Sequence, residues 1–202
     1  MVYRISKFVL WVFLRLWCGF RVEGGQHEPR SGPLLIVSNH VSDLDPLVVG
    51  VALRRRVHYM AKAELFRPPL LRWWVTACGA FPVRRGEPDR QALRTARGIL
   101  ERGGALVMFP EGTRGSGRQL RPPEPGAALL ALWTGAPILP LAIIGTDEVL
   151  SRGARRLSRA SISVRLGPPI VVNGAGSAKA DRGQIEALGQ TFMGELARLL
   201  TG

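Results

Sequence analysis

His40 and Asp45 stand either side of a short polar stretch, Ser38-Asn39-His40-Val41-Ser42-Asp43-Leu44-Asp45-Pro46, directly after the apolar run Leu34-Leu35-Ile36-Val37. An imidazole, with an ordinary pKa near 6.5, can take and return a proton at neutral pH, which is the work of a general base. A carboxylate across a turn can accept a hydrogen bond from the far ring nitrogen, fixing the tautomer and stabilising the imidazolium. Taken alone, such a pair is more often a cap and a turn than a catalytic dyad. Ser42 would complete a Ser-His-Asp set by composition, but no Gly-x-Ser-x-Gly elbow surrounds it, which argues against a serine nucleophile.

Two further clusters could hold an anion. Phe109-Pro110-Glu111-Gly112-Thr113-Arg114 follows the run Ala105 to Met108. Gly112 permits close backbone approach to a ligand, and Arg114 offers a planar fork of donors suited to phosphate oxygens. Gly79-Ala80-Phe81-Pro82-Val83-Arg84-Arg85-Gly86 places two guanidinium groups after another apolar run. The plain alternative for both is a tight turn with solvated arginines.

The elements that must position these residues alternate along the chain. Leu34–Val37 reads as a buried strand, and the helix Leu47–Leu53 follows, with Pro46 acceptable in its first turn. Val57–Ala61 is a second strand and Leu70–Cys78 a second helix. Ala80–Val83 is an edge strand, because Pro82 has no N–H for a ladder. Arg90–Glu101 is a helix capped by Asp89 and stopped at Gly103-Gly104. The strand Ala105–Phe109, the helix Gly126–Trp133 and a central strand Ile138–Ile144 come next. Thr146–Arg159, polar and basic, reads as an exposed loop. Ser161–Leu166 alternates as a half-buried strand does, and the helix Gln184–Leu200 closes the order. This alternation predicts an α/β single domain with a mixed, substantially parallel sheet flanked by helices. The domain spans 23–202, preceded by an N-terminal helix over 1–22.

That helix carries Phe8-Val9-Leu10-Trp11-Val12-Phe13-Leu14, too short for a span of about 20 apolar residues and interrupted by Arg15. Arg15-Leu16-Trp17-Cys18 offers no signal-peptide cleavage site. At about 100° per residue, Arg4, Lys7 and Arg15 fall within roughly 80°, and Arg21 widens the arc to about 120°. Such an amphipathic pattern suits a helix lying in a headgroup boundary; the same helix could instead dock on its own domain's core. The whole chain carries 28 Lys and Arg against 15 Asp and Glu, a net +13 that attracts polyanions. No motif with interleaved aromatics points to nucleic acid. A non-catalytic anionic-lipid-binding module would fit the charge, but gives no reason for the His40–Asp45 spacing. Cys18 and Cys78 form neither metal-ligand spacing nor a disulfide framework, in keeping with a reducing cytoplasm.

Together the motifs resemble those of the glycerolipid acyltransferase family typified by 1-acyl-glycerol-3-phosphate (lysophosphatidate) acyltransferases. Asn39-His40 through Asp45 is similar to its Asn-His-x4-Asp block, and Gly79–Arg85 to its Gly-x-Phe-Pro-Val-Asp-Arg block. Phe109–Arg114 reproduces Phe-Pro-Glu-Gly-Thr-Arg, and Ala136-Pro137-Ile138-Leu139-Pro140 resembles the fourth block. Lys62-Ala63-Glu64-Leu65 and Gly167-Pro168-Pro169-Ile170 also look like family segments. Two departures stand out: Arg84 where many relatives carry an acid, and Glu124 before Pro125-Gly126 where a lysine is common.

The resemblance implies transfer of a fatty acyl group from acyl carrier protein or coenzyme A to the free hydroxyl of lysophosphatidic acid, giving phosphatidic acid. Another lysolipid or an acylated amino acid is an alternative acceptor, since the motifs are shared. It implies His40 as base and Asp45 as its orienter. Arg85 and Arg114, with Arg84 and Lys62, would hold the acceptor phosphate, and Gly112 and Thr113 would line the same site. Glu111 would position Arg114 or the glycerol. Neither metal nor redox cofactor is required. The partners expected are an anionic lipid bilayer, the lysolipid and the thioester donor, with the protein peripheral or monotopic on the cytoplasmic face of the cell membrane. Trp73, Trp74 and Phe66 are candidate blockers of an acyl tunnel and equally good core residues.

Overall fold

A computed structural model describes residues 1–84, 89–115, 119–151, 153, 156–172 and 181–202. Among them the strands are β1 (Arg21–Glu23), β2 (Leu34–Ser38), β3 (Val57–Lys62), β4 (Ala80–Val83), β5 (Ala105–Met108), β6 (Ile138–Ile144) and β7 (Ser163–Leu166). The helices are α1 (Val2–Trp17), α2 (Asp45–Ala52), α3 (Pro69–Ala77), α4 (Arg90–Glu101), α5 (Gly126–Thr134), α6 (Thr146–Val149) and α7 (Arg182–Thr201).

The strands form one sheet in the order β1-β7-β6-β2-β5-β3-β4. β6, β2, β5, β3 and β4 are mutually parallel, β7 runs antiparallel to β6, and β1 joins β7 in parallel. β2 is buried over its full length, as a central strand covered on both faces must be. Its side chains alternate between two cores. Leu34 and Ile36 pack with Leu14 of α1 and Val48 and Val49 of α2. Leu35 and Val37 pack with Ala96 and Leu100 of α4, Leu130 of α5 and Phe192 of α7.

The crossovers β2-α2-β3 and β3-α3-β4 carry the chain one way along the sheet, and β4-α4-β5 and β5-α5-β6 bring it back. The neighbours β2 and β5 therefore send their connections opposite ways along the sheet, and the carboxyl ends of the five parallel strands share one edge. That is where open α/β sheets place their ligands. β4 lies at the sheet edge, as Pro82 requires. Asp89 caps α4, its Oδ1 accepting the N–H groups of Gln91 and Ala92.

Two segments differ from the sequence expectation. Residues 1–22 are not one helix: α1 stops at Trp17, Gly19 takes φ +53°, and Arg21 already pairs with Ser163 in the sheet. Nor is Lys7 part of a wet cationic arc. Its ammonium donates to the Leu53 carbonyl, and burial lowers its pKa. One side of α1 docks on the core through Leu14, while Ile5, Phe8, Val9 and Leu16 on the other side remain exposed. Thr146–Arg159 is not wholly a loop either. It opens with the one-turn α6, and Thr146 has 0% exposure.

Candidate active site

Asn39 is the first residue beyond β2, and its amide continues the ladder that the strand has left. Nδ2 donates to the Ile143 carbonyl at 2.9 Å, and Oδ1 accepts the Ile143 N–H at 2.8 Å. This fixes the exit of β2 against β6. The following turn then brings Asp45, at the start of α2, back beneath His40. His40 Nδ1 lies 2.8 Å from Asp45 Oδ2, with His40 4% exposed and Asp45 fully buried. The same Oδ2 accepts the N–H groups of Val41 and Ser42, each at 2.7 Å, and Oδ1 accepts the Thr146 hydroxyl at 2.5 Å. Four donors and the amino end of α2 thus set one carboxylate orientation. With Nδ1 engaged, Nε2 is the ring nitrogen left to meet a substrate.

The Phe109–Arg114 stretch frames the same histidine. The Phe109 ring stacks on the imidazole at 4.3 Å between centroids. Glu111 Oε1 accepts the His40 N–H at 3.1 Å, and the His40 carbonyl accepts the Gly115 N–H at 2.8 Å. Glu111 Oε2 accepts the Arg121 N–H at 3.1 Å. Glu111 is buried and its oxygens accept from main-chain donors rather than from Arg114, the first of the two partners expected for it. A buried carboxylate needs such donors, and the two loops supply them. Arg114 pairs instead with Asp43, at 2.6 Å, which ties the two loops together at the surface. Gly112 adopts φ +67°, and a Cβ there would stand 3.1 Å from Glu124 Cγ, so the turn itself calls for glycine. The exposed Thr113 hydroxyl accepts a long hydrogen bond, 3.4 Å, from Arg121.

The remaining cations sit further along the edge. Lys62 ends β3 and Arg84 follows β4, both exposed. The Arg84 N–H donates to Asp89 Oδ2 at 3.0 Å, which with the other amides holds the Asp89 carboxyl below its usual range. Arg85 lies outside the described residues. At about 4.8 Å per strand, β3 is roughly 10 Å and β4 roughly 14 Å from β2. The structure therefore gathers His40, Asp45, Glu111, Gly112, Thr113 and Arg114 into one cluster. Lys62 and Arg84 lie along the same edge but apart from it.

Three contributors were not singled out from sequence: Thr146, the Asn39 amide and the Phe109 ring. Ser42 also has a structural part, its hydroxyl donating to the Leu150 carbonyl at 2.9 Å. The available signal for Thr146 was its place just after Gly145 at the carboxyl end of β6, since neighbouring parallel strands finish at one edge.

A buried His–Asp pair at the carboxyl edge of such a sheet is an arrangement suited to proton transfer. Residues 19–144 match the family model described as Acyltransferase, and the chain belongs to that acyltransferase family. Among relatives, a chloroplastic 1-acyl-sn-glycerol-3-phosphate acyltransferase from Brassica napus is 28% identical over 80% of this chain and 48% of its own length. The chain thus spans about half the length of such plant relatives. The Bacillus subtilis 1-acyl-sn-glycerol-3-phosphate acyltransferase is 31% identical, covering 77% of this chain and 79% of its own. A lyso-ornithine lipid O-acyltransferase from Pseudomonas aeruginosa is 32% identical over 95% of this chain and 81% of its own. The crystal structure of the 1-acyl-sn-glycerophosphate acyltransferase PlsC from Thermotoga maritima shares the fold, with TM-score 0.82 at 23% identity, covering 99% of this chain and 78% of that one.

Proposed function

We propose that this protein moves a fatty acyl group from a carrier thioester, on acyl carrier protein or coenzyme A, to the free hydroxyl of a membrane lysolipid. The acceptor hydroxyl oxygen attacks the thioester carbonyl as His40 Nε2 takes its proton. The carbon–sulfur bond then breaks, and the imidazolium returns the proton to the departing thiolate, leaving ester and thiol. Asp45 holds the ring through Nδ1 throughout and stabilises the imidazolium. The scheme draws on no metal or redox cofactor. The observation that carries this reading is the 2.8 Å contact from His40 Nδ1 to a carboxylate already fixed by three other donors. His40→Ala should lower turnover by about three orders of magnitude or more while the lysolipid still binds. Turnover near that of the parent would sink the scheme.

Lysophosphatidic acid is the acceptor we favour, with phosphatidic acid as product. Arg114, with Gly112 and Thr113 beside it, would receive its phosphate, and Lys62, Arg84 and Arg85 are the further cations proposed to reach it. A second reading is favoured by one observation: the lyso-ornithine lipid O-acyltransferase aligns over 95% of this chain. Mass-spectrometric assay against both lysolipids, with mixed thioester donors, separates the two by product mass.

The reaction takes place, in our reading, on the cytoplasmic face of the cell membrane. No helix among the described residues is long and apolar enough to cross a membrane. The exposed Ile5, Phe8, Val9 and Leu16 would sit in the headgroup boundary, with Arg4 and Arg15 on anionic lipid at about 1 kcal/mol for each cation near the surface. The full chain should float with anionic vesicles, and a chain lacking residues 1–17 should float less. Equal flotation would remove α1 as an anchor.

A further inference from the structure

Exposed large apolar side chains are not scattered over this molecule. Among the described residues, ten of the thirteen belong either to α1 with its preceding Met1 or to the segment Ala63–Ala77; Val22, Leu157 and Val171 lie outside both. A surface that concentrates apolar area in this way marks an interaction site. The α1 share has a reading above. The Ala63–Ala77 share does not.

That segment consists of the 3₁₀ turn Ala63–Phe66 and α3. Leu70 is 78% exposed and Trp73 58%, with Leu65 also exposed. Consecutive indoles do different things. Trp74 turns toward α1, where its Nε1 donates to Ser6 Oγ at 3.1 Å, so the two helices are in contact. Trp73 turns to solvent and is not a core residue. Pro69, Arg72, Trp73, Thr76 and Ala77, spaced to share one face of a helix, line an open groove of about 510 Å³. Arg67 and Arg72, both exposed, flank Leu70 and Trp73, and α3 carries no acidic residue.

We propose that Ala63–Ala77 is a second lipid-docking element beside α1, with Leu65, Leu70 and Trp73 in the headgroup boundary and Arg67 and Arg72 on lipid phosphates. An exposed indole and two leucines flanked by Arg67 and Arg72, with Glu64 the one acid in the segment, match an anionic bilayer in both polarity and charge, and the chain's net +13 draws it there. Contact through Trp74 and Ser6 places α3 directly beside α1. Location supports the same occupant. Ala63 follows directly from the carboxyl end of β3, so this element starts on the sheet edge that holds His40. Docking through α1 and α3 together would press that edge to the bilayer, from which a lysolipid can enter without crossing water. The inference rests on the membrane reading made above.

The test is flotation of the full chain with phosphatidylglycerol–phosphatidylcholine vesicles and with phosphatidylcholine alone. It compares the parent with a Leu70→Ser/Trp73→Ser variant and a Phe8→Ser/Val9→Ser variant. These side chains are exposed, so the folds should survive, and unchanged far-ultraviolet circular dichroism checks it. The α3 variant should lose about tenfold in partitioning to anionic vesicles, and Arg67→Ala/Arg72→Ala should weaken only the anionic arm. Brominated-acyl lipid should quench the parent's tryptophan emission more than that of Trp73→Phe. If the α3 variant floats like the parent while the α1 variant does not, this proposal falls and the membrane reading stands. If the parent itself stays at the bottom of the gradient, both fall. A parent that sediments as a dimer, with the α3 variant monomeric yet floating normally, would assign the patch to a second copy of the chain and overturn the proposal.

Discussion

The two halves of the sheet's carboxyl edge are built on opposite terms. At β2, β5 and β6, almost every polar atom near His40 is committed to the protein. Its main-chain N–H goes to Glu111, its carbonyl to Gly115 and its Nδ1 to Asp45, whose other oxygen goes to Thr146. At β3 and β4, Lys62 and Arg84 stand in solvent, with no side-chain partner among the described residues. A proton-transfer group must hold one geometry to within a fraction of an ångström, and buried hydrogen bonds provide that. A cation that receives a phosphate needs reach and charge more than fixed placement, and exposure keeps both. Arg114 lies between these extremes, partly exposed and tied to Asp43.

The comparison breaks most sharply at Asp45. Asp45→Asn keeps the shape, and its amide oxygen can still accept from Val41, Ser42 and His40 with the amide nitrogen toward the Thr146 hydroxyl, but it removes the negative charge that stabilises the imidazolium. Under the proposed mechanism kcat should fall by about three orders of magnitude, with little change in the KM for lysolipid. A variant within tenfold of the parent in kcat would mean that the buried pair is structural.

Thr146 sharpens it next. Thr146→Val removes one hydroxyl at nearly constant volume and leaves Asp45 Oδ1 without its donor. The expected result is a fall of roughly tenfold in kcat with KM unchanged, and recovery in Thr146→Ser, which restores the donor. If serine fails to recover the rate while the fold is intact, the hydroxyl has no part in holding the carboxylate.

How much of this edge can be read from sequence follows the same division. The α/β class, the parallel block and the edge position of β4 arise from local pattern, apolar runs and Pro82; the polar turn after a buried strand marks His40 and Asp45, but their pairing as base and orienter comes from the resemblance of the motifs. Thr146 lies far from Asp45 in the chain and meets it only because β6 happens to neighbour β2, a pairing that local pattern does not encode. Glu111 illustrates a different limit. Its place in a basic, glycine-containing motif suggests an arginine or a substrate as partner, whereas burial leaves it two main-chain N–H groups. The inward turn of Lys7 is likewise set by where α1 meets Leu53, and β1 is too short to show a period of its own.

On the exposed half the effects should be smaller and of another kind. Lys62→Ala should raise the KM for lysophosphatidic acid several-fold, about 1 kcal/mol or less for an exposed charge contact, and leave kcat nearly unchanged. The rise should shrink in high salt, since screening weakens the parent's contact as well. A kcat defect without a KM change would move Lys62 into the committed cluster and erase the distinction.

The smallest effect concerns β3 itself, which carries both a half-buried titratable group and the exposed Lys62. His58 is desolvated by burial and lies near Arg56 and Arg102, and all three influences lower its pKa; its Nδ1 has no partner among the described residues. Because the folded form holds the proton less tightly than the unfolded chain, folding is favoured above the ordinary histidine pKa near 6.5. That contribution is lost as pH falls below it, where the unfolded state takes up the proton. Urea unfolding at pH 5.5 and 7.5 should therefore show lower stability at the acidic value, and His58→Gln should narrow the gap. A gap unchanged in that variant would shift the acid sensitivity to other groups and leave β3 a neutral support for its cation.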